Sequence, residues 1–242
     1  MRIPRIYTSQ SLSISDSVLL DKEAGNHVSR VLRMTKGQQV ELFNGDGHSY
    51  FSEIIAIERS LVTVQIMESV AVANESPLNI HLYQGVSRGD KMELTLQKGV
   101  ELGVSQFTPL ITERCGVKLD EKRWQKKLEH WQKVIESACE QCGRNSIPTL
   151  HPVIKLQTAL SELNDNSFFM HPEAKQSFKS IIADTDSDIQ LWVGPEGGFS
   201  DEEINWVEAH GCKPVQLGPR VLRTETAALA AVSVMNSLWG DF

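Results

Sequence analysis

Four cysteines in a chain of 242 residues do not suggest a disulfide framework. Cys139 and Cys142 form a CxxC, but no second Cys or His pair lies near at zinc-site spacing, so no metal or redox centre is expected. Long apolar runs are missing too. No stretch reaches the length that spans a bilayer, and the opening MRIPRIY lacks the apolar region of a secretory signal. A reducing cytoplasm is the expected location. Positive charge is in deficit: 24 Lys and Arg against 31 Asp and Glu give a formal net charge of −7. That argues against a protein held to RNA by bulk electrostatics, because phosphate neutralisation needs Lys and Arg. Local basic patches are not excluded by it. The Gly-rich run 194–200 is not followed by the Lys and Ser/Thr of a Walker motif, which argues against a nucleoside-triphosphate enzyme. Internal repeats and low-complexity segments are absent.

What is present divides in two. Residues 1–72 read as a small β-rich domain. Val40–Phe43 and the alternating Tyr50–Ile57 flank Asn44-Gly45-Asp46-Gly47, a hairpin signal, and Leu61–Ile66 reads as another strand. Between Asp21 and Lys36 the pattern predicts a helix, stopped by Gly37, with His27, Arg30 and Arg33 on roughly one face. Arg2, Arg5, Arg30 and Arg33 are either an RNA-contacting edge or a solvated face. Ala71–Pro77 lacks periodicity and reads as a linker, so the second domain spans 73–242.

In that second part strands and helices alternate. Leu78–Val86 is a strand, Ser87-Arg88-Gly89-Asp90 a turn with Asp90 the expected N-cap, and a helix runs from Lys91 to Gly103. Gln106–Thr112 follows as a strand, so this βαβ unit predicts a parallel sheet. Trp124, Leu128, Trp131, Ile135 and Ala138 repeat at helical spacing over 120–143, a core stripe. Ser167–Met170 is a short strand, and the loop after it carries His171, more often structural or solvated than a base. A weak helix then reaches Ala183. Ser200 and Glu203 match a capping box, which assigns Ser200, Asp201 and Glu202 to a helix start. The last helix is expected over Thr224–Trp239.

Two pieces near the C-terminus share one design. Ile189–Phe199 reads IQLWVGPEGGF, and Val215–Ala228 reads VQLGPRVLRTETAA. Each is an apolar strand ending in Gly-Pro, followed by polar residues that open a helix. Gly194, Gly197, Gly198 and Gly218 let backbone approach a ligand closely. Side by side, such turns form a crevice at the carboxyl ends of neighbouring strands, where open α/β sheets bind ligands.

The motifs GPEGGFSDEE and LGPRVLRTETAA, with HVSRVLRMTKG, KGVELGVSQFTPL and ESACEQCGR in the same order, resemble the RsmE family of 16S ribosomal RNA (uracil-N3)-methyltransferases, of the SPOUT class. The resemblance covers nearly the whole chain. It implies a PUA-like β-barrel RNA-binding domain over 1–72 and a trefoil-knotted parallel-sheet methyltransferase domain over 73–242. It also implies a homodimer through helices that include the last one, and S-adenosylmethionine as cofactor. The implied RNA contacts are Arg2, Arg5, Arg30, Arg33 and Arg88. Gln141 and Arg144 are added, since the Glu-Gln-x-x-Arg segment faces the reaction site in the resembling family. Substrate is then a uridine of small-subunit ribosomal RNA.

A methyl leaving a sulfonium in an in-line displacement needs positioning more than acid strength. Gly194, Gly197, Leu217, Gly218 and Leu222 suit a flat apolar adenine slot, with Met170 closing one side. His171, Pro195, Gly198, Arg220, Arg223 and Ala227 are further cofactor-contact candidates, and Glu196 lines or orders the loop. Uracil N3 becomes nucleophilic only as its proton leaves. Arg223 suits stabilisation of charge on the uracil oxygens. Glu225 either accepts the proton, orients Arg223, or simply stabilises the first helical turn. Arg220 alternatively binds phosphate. The competing readings are a non-catalytic RNA-binding ribosome-assembly factor and a SPOUT enzyme acting at another RNA position. A conventional doubly wound methyltransferase fits poorly, because Gly45-Asp46-Gly47, the only Gly-x-Gly, lies in a hairpin.

Overall fold

A computed structural model describes residues 3–242, so Arg2 lies outside the described residues. The chain divides into two compact units: residues up to Glu75 with Cys139–Ile147, and Ser76–Ala138 with Pro148–Phe242.

In the first unit, β1 (Arg5–Tyr7), β2 (Ser17–Leu19), α1 (Lys22–Asn26), β3 (Gln39–Phe43), β4 (His48–Glu58) and β5 (Leu61–Ala71) follow in chain order. The strands form one sheet in the order β1-β3-β4-β5-β2. Its neighbours are antiparallel except for the parallel pair β1 and β3. Alternation along β4 and β5 puts Ile54, Val62, Val64 and Ile66 on the buried face, where they pack with Ile6, Val28, Val40 and Leu42. The hairpin is where the Asn-Gly-Asp-Gly turn predicts it. β5 runs to Ala71, to the edge of the expected linker.

The helix expected over 21–36 is shorter and changes pitch. Asp21 caps α1 by accepting from the Glu23 and Ala24 N–H groups. His27–Val31 then forms a π-helical turn closed by Leu32 N–H donating to the His27 carbonyl at 2.9 Å. The wider turn keeps Val28 fully buried while Val31 stands exposed. Arg33 follows with a left-handed φ of 53°. His27, Arg30 and Arg33 therefore do not share the face that a 3.6-residue period predicts.

Residues 139–147 are held within the first unit by part-buried polar groups. Glu75 accepts from Arg144 Nε at 2.7 Å and from the Asn145 and Ser146 N–H groups at 3.2 and 3.1 Å. Arg5 pairs with Glu41 and donates to the Arg144 carbonyl and to Asn145 Oδ1. Glu140 accepts from the Tyr7 N–H at 2.9 Å. Burial pushes the Cys139 thiol up to about 12, so this member of the CxxC stays protonated at neutral pH.

The second unit contains β6 (Ile80–Gly85), α2 (Lys91–Glu101), β7 (Gln106–Ile111), α3 (Glu121–Cys142, its last turn counted with the first unit), β8 (Thr149–Leu150), β9 (Ile154–Lys155) and α4 (Leu156–Ala159). β10 (Ser167–Met170), β11 (Ile189–Val193), α5 (Asp201–Ala209), β12 (Lys213–Val215) and α6 (Thr224–Trp239) complete it. The sheet is wholly parallel in the order β12-β10-β11-β6-β7-β8, with β9 also on β7. Every residue of β6 and β11 is buried, the continuous burial expected of central strands covered on both faces. α6 packs on α2, β6 and β11 through Ala227, Ala228, Ala231, Val232 and Met235. Its small residues thus bring it close to its own sheet, while Leu238 stays exposed.

Trp192, Tyr83, His81 and His151 stack across the sheet in sequence, at ring-centre distances of 4.3, 4.1 and 5.0 Å. Burial first, then His151, pushes His81 down to about 3. It is a neutral packing residue, hydrogen-bonded to Thr108 at 2.8 Å. The weak helix expected before Ala183 reduces to one 3-10 turn, Phe178–Ser180. Asp90 makes no side-chain cap: its ψ of −2° is helical, whereas capping needs extended backbone. Among the described residues no helix is long and apolar enough to cross a membrane, and no group of three His, Cys, Asp or Glu is placed to hold a metal ion.

Candidate active site

The carboxyl ends of β12, β10, β11 and β6 lie side by side, so the loops leaving them converge. They enclose a cavity of about 430 Å³, within the range of small-molecule sites. Its floor is built on close backbone approach. A Cβ on Gly85, the last residue of β6, would stand 2.4 Å from the Pro195 nitrogen, so only glycine lets the Gly194-Pro195 turn cross the strand end. Gly198, with φ of +67°, turns the chain back, and its N–H donates to the Pro195 carbonyl at 2.9 Å.

Three polar clamps hold these loops. Thr224, at the start of α6, donates to the Gly194 carbonyl at 2.5 Å and accepts from Gln84 Nε2 at 2.8 Å. Glu196 accepts from the Arg88 N–H at 3.0 Å and Lys91 Nζ at 3.3 Å. Desolvation works against the Glu196 carboxylate, but these donors outweigh it and hold its pKa below the usual value. Arg114, from the loop after β7, donates to the Gly197 and Phe199 carbonyls at 3.3 and 3.0 Å. The capping box on α5 is present, and Glu203 accepts from Ser200 N–H at 2.9 Å and Glu113 N–H at 2.7 Å. Ser200 and Glu203 are committed to the loop, as the capping pattern predicts.

The sequence matches the RNA methyltransferase domain family over residues 74–236 and the RNA methyltransferase PUA domain family over residues 20–67. It is 37% identical over 242 residues to ribosomal RNA small subunit methyltransferase E of Buchnera aphidicola subsp. Schizaphis graminum, covering 99% of this chain and 98% of that protein. The chain belongs to the ribosomal RNA small subunit methyltransferase E family. The Bacillus subtilis member is 31% identical over 95% of this chain and 93% of its own length. Among solved structures, the Neisseria gonorrhoeae family member bound to S-adenosyl methionine is 38% identical, covers all of both chains and has a TM-score of 0.93. A Legionella pneumophila protein in complex with the bound cofactor SAM is 44% identical, with a TM-score of 0.97 over all of both chains.

Within this family frame, the thirteen cofactor-contact candidates are brought together. Met170, His171, Gly194, Pro195, Glu196, Gly197, Gly198, Leu217, Gly218, Arg220, Leu222, Arg223 and Ala227 all line the cavity. Glu225 does not line it; its Oε2 is inaccessible to solvent and has no hydrogen-bond partner. The candidate RNA contacts separate. Arg30, Arg33, Arg88 and Gln141 are exposed, whereas Arg5 and Arg144 are spent on part-buried acids and carbonyls.

Lys91, Arg114, Phe199, Gln216, Val221 and Thr224 also line the cavity without having been anticipated. Arg114 follows β7 directly. Applying the strand-end rule to every parallel strand, rather than to the two Gly-Pro turns alone, nominates it. Thr224 had no comparable signal, because its role depends on Gln84, 140 residues earlier in sequence.

Proposed function

We propose that the protein transfers a methyl group from S-adenosylmethionine to N3 of a uridine in small-subunit ribosomal RNA. The observation that carries the reading is the cavity itself: every crevice residue expected of a SPOUT cofactor site lines one space. The bound cofactor supplies an activated methyl on sulfur. The chain supplies position. Leu217, Leu222, Met170 and Ala227 offer apolar walls, and the glycines of the 194–198 turn expose backbone groups for polar recognition.

Arg220 and Arg223 are exposed and, among the described residues, have no acidic or carbonyl partner, unlike Arg114 and Lys91. Two guanidinium groups kept free at a crevice suit an anionic substrate. Arg223 takes the charge that grows on the uracil oxygens as the N3 proton leaves, and Arg220 takes a phosphate. Glu225, which does not line the cavity, acts on the first turn of α6 through the helix dipole rather than on the base. The alternative of an RNA-binding assembly factor without catalysis gives no reason for a cavity clamped at three points.

The location is the cytoplasm, where the ribosomal substrate is made. A trefoil threading of the C-terminal part and a homodimer using the exposed Leu238 on α6 belong to the same proposal. Thr224→Val tests the clamp. It keeps the side-chain shape but leaves the Gly194 carbonyl unpaired and removes one of the two bonds of the Gln84 amide, at about 1–3 kcal/mol. The expected result is a melting temperature lowered by roughly 3–10 °C with weaker cofactor binding, both restored by Thr224→Ser. A Thr224→Val protein that melts and binds like the parent contradicts it. Nucleoside mass spectrometry after methyl transfer tests the function as a whole.

A further inference from the structure

Between residues 114 and 127 the chain carries six cations against two acids, inside a protein of net charge −7. Lys122, Arg123, Lys126 and Lys127 occupy the first two turns of α3, the end where the helix dipole disfavours positive charge. An arrangement that opposes local stability without an internal gain marks a surface kept for another purpose. The internal gains are small. Arg123 reaches Asp120 at 3.4 Å with both groups exposed, and Lys127 lies over the Trp131 ring at 5.4 Å. Lys118, Lys122 and Lys126 are exposed and, among the described residues, have no acidic partner. Beyond Lys127 the helix returns to balanced charge, with Glu129, Lys133 and Glu136 and His130 facing Glu93 at 3.1 Å.

The patch also starts at the crevice. Arg114 lines the cavity. Two residues on, Gly116 carries the Arg88 guanidinium against its backbone, so closely that a Cβ there would meet Nε at 2.2 Å. Lys118 and the first turn of α3 follow. The cations are therefore spread along the chain from the cavity wall to the first two turns of the helix, with Asp120 and Glu121 the only acids among them.

We infer that the N-terminal half of α3, with Lys118, is a second RNA surface that grips the phosphates flanking the nucleotide held in the crevice. The inference rests on the reading that the protein acts on RNA, and it extends RNA contact within the catalytic unit from the crevice to α3. Lysines in such a row act as point charges on phosphate and read no base. Their signature is a salt dependence of binding.

The test is a triple variant, Lys118→Gln, Lys122→Gln and Lys126→Gln, titrated with transcribed small-subunit ribosomal RNA over a range of salt concentrations. A control neutralises Lys155, Lys175 and Lys179, exposed cations elsewhere in the same unit. The expected triple loses about 2–3 from the slope of log affinity against log salt, and on the order of 100-fold in affinity near physiological salt. Its S-adenosylmethionine affinity, which reports an intact crevice, stays within about two-fold on the ordinary additivity of distant sites. The control keeps the parent slope. A triple variant with the parent slope, or a control that loses as much as the triple, overturns the surface while leaving methyl transfer by the parent intact. A parent that neither binds nor methylates RNA overturns both readings together.

Discussion

Replacing Gly85 by alanine is expected to lower methyl transfer by about 100-fold or more, the usual cost of moving a reacting group by an ångström. The added Cβ would lie 2.4 Å from the Pro195 nitrogen, 2.6 Å from its Cδ and 2.7 Å from the Gly194 carbonyl carbon. None of these atoms belongs to a flexible side-chain end. The proline ring and peptide must therefore move, and they carry the turn that walls the cavity. Relief by sliding the whole loop is opposed by Thr224 on the Gly194 carbonyl and Arg114 on the Gly197 carbonyl. Overpacking of this kind costs about 1–3 kcal/mol, so the melting temperature falls only modestly. Calorimetric titration with S-adenosylmethionine separates the two effects. The expected protein is folded and binds the cofactor poorly. Binding within two-fold of the parent would show that the turn does not form the cofactor floor.

Arg223→Ala is the second large effect, of a different kind. Arg223 is exposed at the cavity wall, so its loss creates no void and costs little stability. If it stabilises charge on the uracil oxygens, it acts chiefly in the transition state. Removing one such donor typically costs 10²–10³ in turnover. Cofactor affinity should change by a few-fold at most, since the charge it meets belongs to the substrate. Single-turnover methyl transfer at saturating RNA measures this. Equal losses in RNA affinity and none in turnover would reassign Arg223 to phosphate binding, alongside Arg220.

Local chemistry was legible in the sequence where it was decided locally. The capping box of Ser200 and Glu203, the Gly-Pro turns and the span of α6 all follow from residues within a few positions of one another. The same holds for the crevice, because strand-end turns of a parallel sheet have few places to go. Long-range pairings were not legible. Nothing near Arg144 indicates that Glu75 will occupy it, or that Arg5 will be spent on Glu41 and Asn145. Both arginines looked like surface cations for that reason. The π-helical turn after α1 was hidden for another reason: burial of Val28 overrides the regular period. Glu225 follows Arg223 so closely that sequence proximity suggests shared work; Arg223 is the extended N-cap of α6 and lines the cavity, whereas Glu225 lies in the first turn and does not line it.

The central claim is that this crevice delivers a methyl group to N3 of a uridine in small-subunit ribosomal RNA. The most direct test incubates the purified protein with isotopically labelled S-adenosylmethionine and small ribosomal subunits lacking the modification, followed by nucleoside mass spectrometry. The account predicts label in 3-methyluridine, in amounts approaching one per subunit, and about 100-fold less with Gly85→Ala in the same time. Label on a ribose hydroxyl or on another base, or no label while the RNA binds, would contradict it.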